Sequence, residues 1–515
     1  MNQTSVRFKQ YLTQMNCQSI LQTVTTVTWV ILCSVGCVHT ALLPGAKSAT
    51  ATWKPAQPPT LLPLSAIPTP APQPGAAGIG DPYYPKLGNG GYHVEHYTIV
   101  LDVQPVANLI SGTTTIRAHA TQSLSALNLD FAGLTINHVL VNRSAAAYNR
   151  DGRELTITPA HPLPHNQEFT VVVAYQGSPQ PILSVARAGE VGWFHAENGA
   201  INVLGEPDGA ASWFPSNNHP RDKATYRFEI TVPAGFVVAA AGLLREIVNQ
   251  DETVRYIWEM DEPMASYLAA INIDDYVVET TPGPDGVTIR NYFSPQFPEA
   301  SKRGYARLPE MIDFFSTLFG PYPFAAYGVL IADPESEVCQ TILAIEIQTL
   351  STHCPEPAAE EEEVIVHELV HQWFGNSVSV QNWQDLWLKE GLATYAQWLW
   401  RTRGKEITVI SNVATVYRRH LNLIIPIGQP PATDLYNHDS VYTGGALVFH
   451  ALRLQVGDEA FFELLRTYYE RFQGRNASTQ DFIALAEEVS GQHLDDFFQT
   501  WLYADQLPPL PAAPR

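Results

Sequence analysis

His367, Glu368 and His371 stand as His-Glu-Leu-Val-His inside an apolar-periodic run, Val364 to Phe374, that stops at Gly375. On a helix, residues four apart share a face, so both imidazoles can reach one ion while Glu368 points beside it. Gly375-Asn376 ends that helix, and Asn382 with Asp385 three residues on starts another, which carries Glu390. Two antiparallel helices joined by a short loop would bring Glu390 to the same ion. Trp387-Leu388 and Gly391-Leu392 surround Glu390 with apolar residues, where a carboxylate wants a cation. Two His and one Glu leave one tetrahedral position for water, the arrangement of a catalytic rather than a structural zinc site. The chemistry expected is hydrolysis with one zinc per chain. Zinc lowers the pKa of its water toward about 7 and polarises a carbonyl. Glu368, near that water without being a ligand, suits the general base.

The elements that position these groups change character along the chain. Between residues 90 and 280 the apolar period is two: Tyr97, Ile99, Leu101 and Val103 alternate with polar neighbours, as do Tyr226, Phe228, Ile230 and Val232. Such strands, with one buried face each, predict a mostly antiparallel β domain. After about residue 300 the pattern is helical, as in Leu308–Phe315; Ser478 with Asp481 starts a later helix and Gly491 stops it. The fold class expected is α+β and multidomain. The β domain spans 87–280, a mainly helical catalytic domain spans 281–505, and 506–515 is a tail. The run Thr281-Pro-Gly-Pro-Asp-Gly286 marks the boundary between the domains.

The N-terminus reads separately. Arg7 and Lys9 precede a neutral stretch whose most apolar part is Val24 to Leu43, a basic region followed by an apolar one, as in an export signal. Residues 1–50 are therefore a signal peptide or a membrane anchor. The segment is cut after Ala49-Thr50-Ala51, retained as a span, or lipidated at Cys37 in Ser34-Val35-Gly36-Cys37. Residues 51–86 are Pro-rich and serve as a semi-rigid linker. An exported, extracytoplasmic body tethered to a membrane or secreted is the localisation expected.

Composition limits the alternatives. At about 150 residues per domain, 515 residues make three or four units, enough for a cleft between domains. A formal net charge of −21 opposes phosphate backbones, so nucleic-acid binding is excluded. With 45% hydrophobic and 16% charged residues the chain is globular, and five cysteines are too few for a disulfide-built scaffold.

His367-Glu-Leu-Val-His-Gln-Trp-Phe-Gly-Asn376 with Trp383-Gln-Asp-Leu-Trp-Leu-Lys-Glu390-Gly391 resembles the signature of the gluzincin aminopeptidases, the aminopeptidase N-like and leukotriene hydrolase-like family. Asp81-Pro-Tyr-Tyr-Pro85, Gly90-Gly-Tyr92 and Gly320-Pro-Tyr-Pro-Phe324 extend the resemblance over roughly residues 81 to 505. The resemblance implies a saddle-like N-terminal β domain on a thermolysin-like catalytic domain, in a short form without the family's C-terminal helical domain. It implies peptide substrates with a free N-terminus. It also implies that Tyr442, in Val441-Tyr-Thr-Gly-Gly445, assists the tetrahedral intermediate; Gly444 stands where the family often has a basic residue. Glu206, in Gly205-Glu-Pro-Asp-Gly-Ala210, and Glu346, in Leu343-Ala-Ile-Glu-Ile347, match the family's amine-binding positions. Around Glu346, Leu343, Ile345 and Ile347 replace the family's Gly, Met and Asn.

The function expected is a zinc aminopeptidase. The alternatives are an endopeptidase with an open cleft, an epoxide hydrolase, for which nothing indicates a lipid tunnel, and a non-catalytic scaffold, against which Glu368 beside all three ligands argues. Glu360–Glu363 read as acids at a helix N-terminus. Cys339 and Cys354, bracketing Glu346, form a disulfide or stay as two buried thiols. His93 and His96, on a strand, face opposite sides.

Overall fold

The computed structural model describes residues 71–512 except 335, 356–357, 405–408 and 421–425, and all of them belong to one compact unit, Pro68–Arg515. The expected export segment, residues 1–50, and the linker up to residue 70 lie outside the described residues.

The period-two pattern forms strands as expected. They are β1 (Tyr92–Gln104), β2 (Leu109–Ala120), β3 (Thr135–Val141), β4 (Glu168–Gly177), β5 (Glu190–His195), β6 (Ile201–Leu204), β7 (Ala224–Pro233), β8 (Leu243–Asn249), β9 (Thr253–Met264) and β10 (Ile271–Asp274). An eight-stranded sheet runs β8-β9-β7-β1-β2-β4-β3 and ends on the short strand Ser144–Ala145. Only the β7–β1 pair in it is parallel. Tyr97, Ile99, Leu101 and Val103 point inward and Thr98, Val100 and Asp102 outward, so half of each strand feeds the core. A second sheet includes β5, β6 and β10, and β6 runs directly into Gly205-Glu206.

Three expectations are corrected. A bulge between Val94 and His96 shifts the alternation, so His93 and His96 share the outer face; they still serve different partners, Asp222 for His93, Thr225 and Thr98 for His96. The run Thr281–Gly286 is a hairpin turn rather than a boundary. It joins β11 (Val277–Pro282) to β12 (Thr288–Phe293), and both belong to the sheet that also holds β13 (Ala344–Ile347) and β14 (Leu350–His353). Finally, residues 73–86, assigned to the linker, are packed. Buried Asp81 accepts the N–H groups of Tyr83 and Tyr84 (both 2.8 Å) and that of Trp383 (2.9 Å). The hydroxyls of Tyr83 and Tyr84 donate to Pro430 O and Ala432 O. This segment therefore ties the β domain to the loop before the Glu390 helix.

The helices begin with α1 (Leu308–Phe319), followed by α2 (Ala358–Val370), α3 (Trp387–Thr402), α4 (Gly445–Val456) and α5 (Thr479–Ser490). A capping box at Asn382 and Asp385 precedes α3, and Asp385 also accepts from Thr479 N and Oγ1, fixing the starts of α3 and α5 together. Ser478 and Asp481 cap α5, and Gly491 ends it in the left-handed conformation. Fully buried Trp373, just beyond α2, donates to Gly320 O and Pro321 O at the end of α1, which explains the Gly-Pro-Tyr-Pro-Phe segment as the support of the histidine helix. Glu362 binds Arg307 through both oxygens (2.6 and 2.8 Å) and Glu363 pairs with Arg401, so these two acids are held by neighbouring guanidinium groups.

Candidate functional site

All seven residues singled out from the sequence line one cavity of about 310 Å³: Glu206, Glu346, His367, Glu368, His371, Glu390 and Tyr442. Helix α2 and the turn after it bring the His367 and His371 rings to 4.6 Å, and α3 presents Glu390 between them. Glu390 Oε2 lies 3.1 Å from His367 Nε2 and 3.4 Å from His371 Nε2. A tetrahedral zinc with bonds of about 2.0–2.1 Å has ligand–ligand edges of about 3.3 Å, so the donor spacing fits that ion. His371 Nδ1 donates to Phe374 O (3.1 Å), which leaves Nε2 as the nitrogen that faces Glu390 and would bind the metal. Burial raises the Glu390 carboxyl, but the Lys389 ammonium and the His371 and His367 imidazoles outweigh it and hold the group well below the usual carboxylate range. It is thus a ready anionic donor.

Glu368 is buried beside this set, and its Oε2 has no hydrogen-bond partner among the described residues. Burial pushes its carboxyl well above the ordinary range, with Glu346 and Glu390 adding to the rise and His371 opposing it. Tyr442 lies in the wide helical turn His438–Gly444 and stacks between two imidazoles, His438 at 5.4 Å and His367 at 5.9 Å. Burial, reinforced by Glu390 and Glu206, keeps its phenol protonated. Helices α3 and α4 meet at Gly391 and Gly445. A Cβ on Gly391 would stand 2.6 Å from the Gly445 carbonyl carbon, so bare backbone is required there. This crossing sets the distance between Glu390 and Tyr442, one and three residues away.

Glu206 and Glu346 are buried rather than at the surface. Glu206 follows β6, and Glu346 lies on β13 opposite Ser351 of β14. The disulfide Cys339–Cys354 spans 15 residues and ties the Ile342–Leu343 wall of the cavity to the end of β14. One residue escaped sequence reading. The ammonium of Lys389, only 1% exposed, lies 2.6 Å from Glu206 Oε1 and 3.1 Å from Glu390 Oε1, and pairs with Glu346 Oε1 as well. Its signal was available: a lysine inside the same apolar run that marked Glu390. Burial, then Glu346, raises the Glu206 carboxyl to about 7, and Lys389 works against this. Arg187 and Tyr436, also on the cavity wall, had no comparable signal.

Comparison with known proteins follows the same division. The Peptidase M1 N-terminal domain model matches residues 93–268 and the Peptidase family M1 domain model residues 321–501. Human glutamyl aminopeptidase is 25% identical over 332 residues, covering 60% of this chain and 35% of its own length. Mouse aminopeptidase B is 27% identical over 460 residues, covering 79% of this chain and 67% of its own. The chain thus spans about a third of the glutamyl aminopeptidases it matches. An M1 zinc metallopeptidase from Deinococcus radiodurans superimposes with a TM-score of 0.77 at 30% identity, over 85% of this chain and 99% of that one. A glutamate-to-alanine mutant of it, bound to a Tyr-Ser-Ala substrate, gives 0.76 at 30%. A β domain and a helical zinc-site domain in the same order, matched along nearly the whole of a solved relative, leave no other assignment: the chain belongs to peptidase family M1, the zinc metallopeptidases.

Proposed function

We propose that the protein is a zinc aminopeptidase that removes N-terminal residues from peptides. The observation that carries this reading is the convergence of Glu206 and Glu346 on an ammonium group at the cavity wall, beside Glu390. Lys389 already pairs with both carboxylates, which shows that they can hold an ammonium, and a peptide's free α-amine is the ammonium that would reach them from the cavity. The similarity to a solved enzyme bound to a tripeptide supports the same substrate class.

His367 Nε2, His371 Nε2 and a Glu390 oxygen would hold the zinc, which supplies Lewis acidity and an acidified water. Glu368 takes the proton of the attacking water and returns it to the leaving nitrogen, a role suited to a carboxyl whose basicity burial has raised. The Tyr442 hydroxyl donates to the carbonyl oxygen as it gains negative charge. Glu206 and Glu346 hold the α-ammonium, which sets the scissile bond one residue from the end.

The test uses a free-amine peptide and its N-acetylated form, with and without chelator. Stepwise release from the free peptide, little cleavage of the acetylated one and loss of activity with chelator are expected. Equal internal cleavage of both would establish an endopeptidase instead.

We further propose that the protein is exported and held to a membrane or secreted. Arg7, Lys9 and the apolar stretch that follows support this, as does the Cys339–Cys354 disulfide, a feature of oxidising compartments. Among the described residues no helix is long and apolar enough to cross a membrane. Protease accessibility in intact cells checks it; protection until lysis would overturn it.

A further inference from the structure

Arg187 stands out among the charged groups of the cavity. Lys389 is surrounded by three carboxylates, whereas the half-buried Arg187 guanidinium has no hydrogen bond or ion pair among the described residues. It lies over the Tyr436 ring, 5.5 Å from its centroid. The buried Tyr436 hydroxyl, on the same wall, also has no hydrogen-bond partner among the described residues. A cation and a hydroxyl donor, both unpaired and side by side at a cavity wall, suit a carboxylate from the substrate.

The loop that carries Arg187 is fixed to the segment that carries Glu206. Fully buried Asp208, two residues after Glu206, accepts from Ser184 Oγ (2.6 Å) and Val185 N (3.0 Å) and pairs with Arg153. Ser184 Oγ in turn accepts from Ala186 N (3.1 Å) and Arg187 N (3.2 Å). The Tyr84 hydroxyl, which donates to Ala432 O, also lies 3.3 Å from Ala186 O. The Arg187 backbone is therefore tied to the segment that carries Glu206, and the guanidinium extends from it over the Tyr436 ring. A ruler between an anionic and a cationic subsite selects molecules with an ammonium and a carboxylate at matching spacing.

We infer that Arg187 is a specificity residue that binds a substrate carboxylate, with Tyr436 as a second donor. That carboxylate is the side chain of an acidic N-terminal residue or the terminal group of a short peptide. The inference rests on the aminopeptidase reading and deepens it.

Two substrate pairs separate the sources: glutamyl- against glutaminyl-4-nitroanilide, and Leu-Ala against Leu-Ala amide. In one pair the carboxylate-bearing member is expected to show a kcat/KM higher by about tenfold or more, as a charge-assisted hydrogen bond provides. Arg187→Gln should abolish that preference through KM and leave the uncharged members within about twofold. The pair that loses its preference identifies the source. Absence of a preference in both pairs, its survival in Arg187→Gln, or an equal loss on all four substrates would overturn the inference. Calorimetric binding of the same four compounds to Glu368→Gln and Glu368→Gln/Arg187→Gln proteins gives a readout independent of turnover. Carboxylate-selective binding that depends on Arg187, together with a zinc-loaded wild-type protein that cleaves none of the four compounds and no free-amine peptide, would sink the proposed function and leave this inference standing.

Discussion

Lys389 Nζ lies 2.6 Å from Glu206 Oε1, so an internal ammonium already occupies one side of the subsite where the substrate amine is proposed to bind. The same lysine pairs with Glu346 and Glu390, and three carboxylates gathered without it would repel one another where little bulk solvent screens them.

Lys389→Met keeps an unbranched chain up to the ε position and removes the charged ammonium. Breaking a buried ion pair by deleting one partner costs about 3–5 kcal/mol, so urea unfolding should show a loss of at least about 3 kcal/mol. Unchanged stability would mean that Lys389 is not the counter-ion of this cluster.

Ligand and base separate in metal analysis. Glu390→Ala should lose zinc and activity together. Glu368→Gln, nearly isosteric and outside the donor set, should keep about one zinc per chain while turnover falls about 10²–10⁴-fold. Zinc loss in Glu368→Gln would make that residue structural.

Gly391 and Gly445 carry the helix crossing behind the site. Gly391→Ala forces a Cβ against backbone 2.6 Å away, and such overpacking costs about 1–3 kcal/mol. As Glu390 is the adjacent residue, zinc content should fall along with the melting temperature. Wild-type values for both would show that the helices separate without cost.

The His367–His371 pair and the helix start at Asn382 were legible in the sequence because both depend on spacing along one helix or one turn, and Glu390 because a carboxylate stood in an apolar run on the next helix. The β domain was legible because alternation survives in strands such as β1. What escaped depends on contacts between distant segments. Lys389 gains its meaning from Glu206 and Glu346, which approach it only once β6 and β13 are in place. The bulge at Val94–His96 and the packing of residues 73–86 likewise follow from neighbours in space, here β2 and Trp383. The Pro-Gly run at 281–286 marked a turn correctly, but composition does not say which sheet owns the strands on either side.

His353, at the end of β14, is buried, accepts or donates to Ser351 Oγ at 2.7 Å, and has its pKa pushed down to about 3 by burial. An unfolded histidine titrates near about 6.5. Between those values the unfolded chain binds a proton that the folded chain does not, so the stability from neutral His353, complete above pH 6.5, is lost as pH falls toward 3. Unfolding midpoints measured at pH 7, 5.5 and 4 should drop less steeply in His353→Gln than in the wild type. Parallel slopes would show that His353 protonates without cost in the fold.

Tyr442 allows the most direct test of how much the protein contributes beyond its metal. Its ring is sandwiched between His367 and His438, and phenylalanine preserves both stacking contacts and the volume. Tyr442→Phe should therefore leave zinc content, melting temperature and KM near wild-type values. The hydroxyl is what disappears, and it matters only when the carbonyl oxygen becomes negatively charged. Removing one such donor lowers kcat about 10²–10³-fold. A loss confined to kcat is the pattern of an interaction made in the transition state alone. If KM rose instead and kcat held, the phenol would be a ground-state contact of the substrate. The role of charge stabiliser would then have to pass to another donor on the cavity wall, of which the unpaired Tyr436 hydroxyl is the nearest in kind.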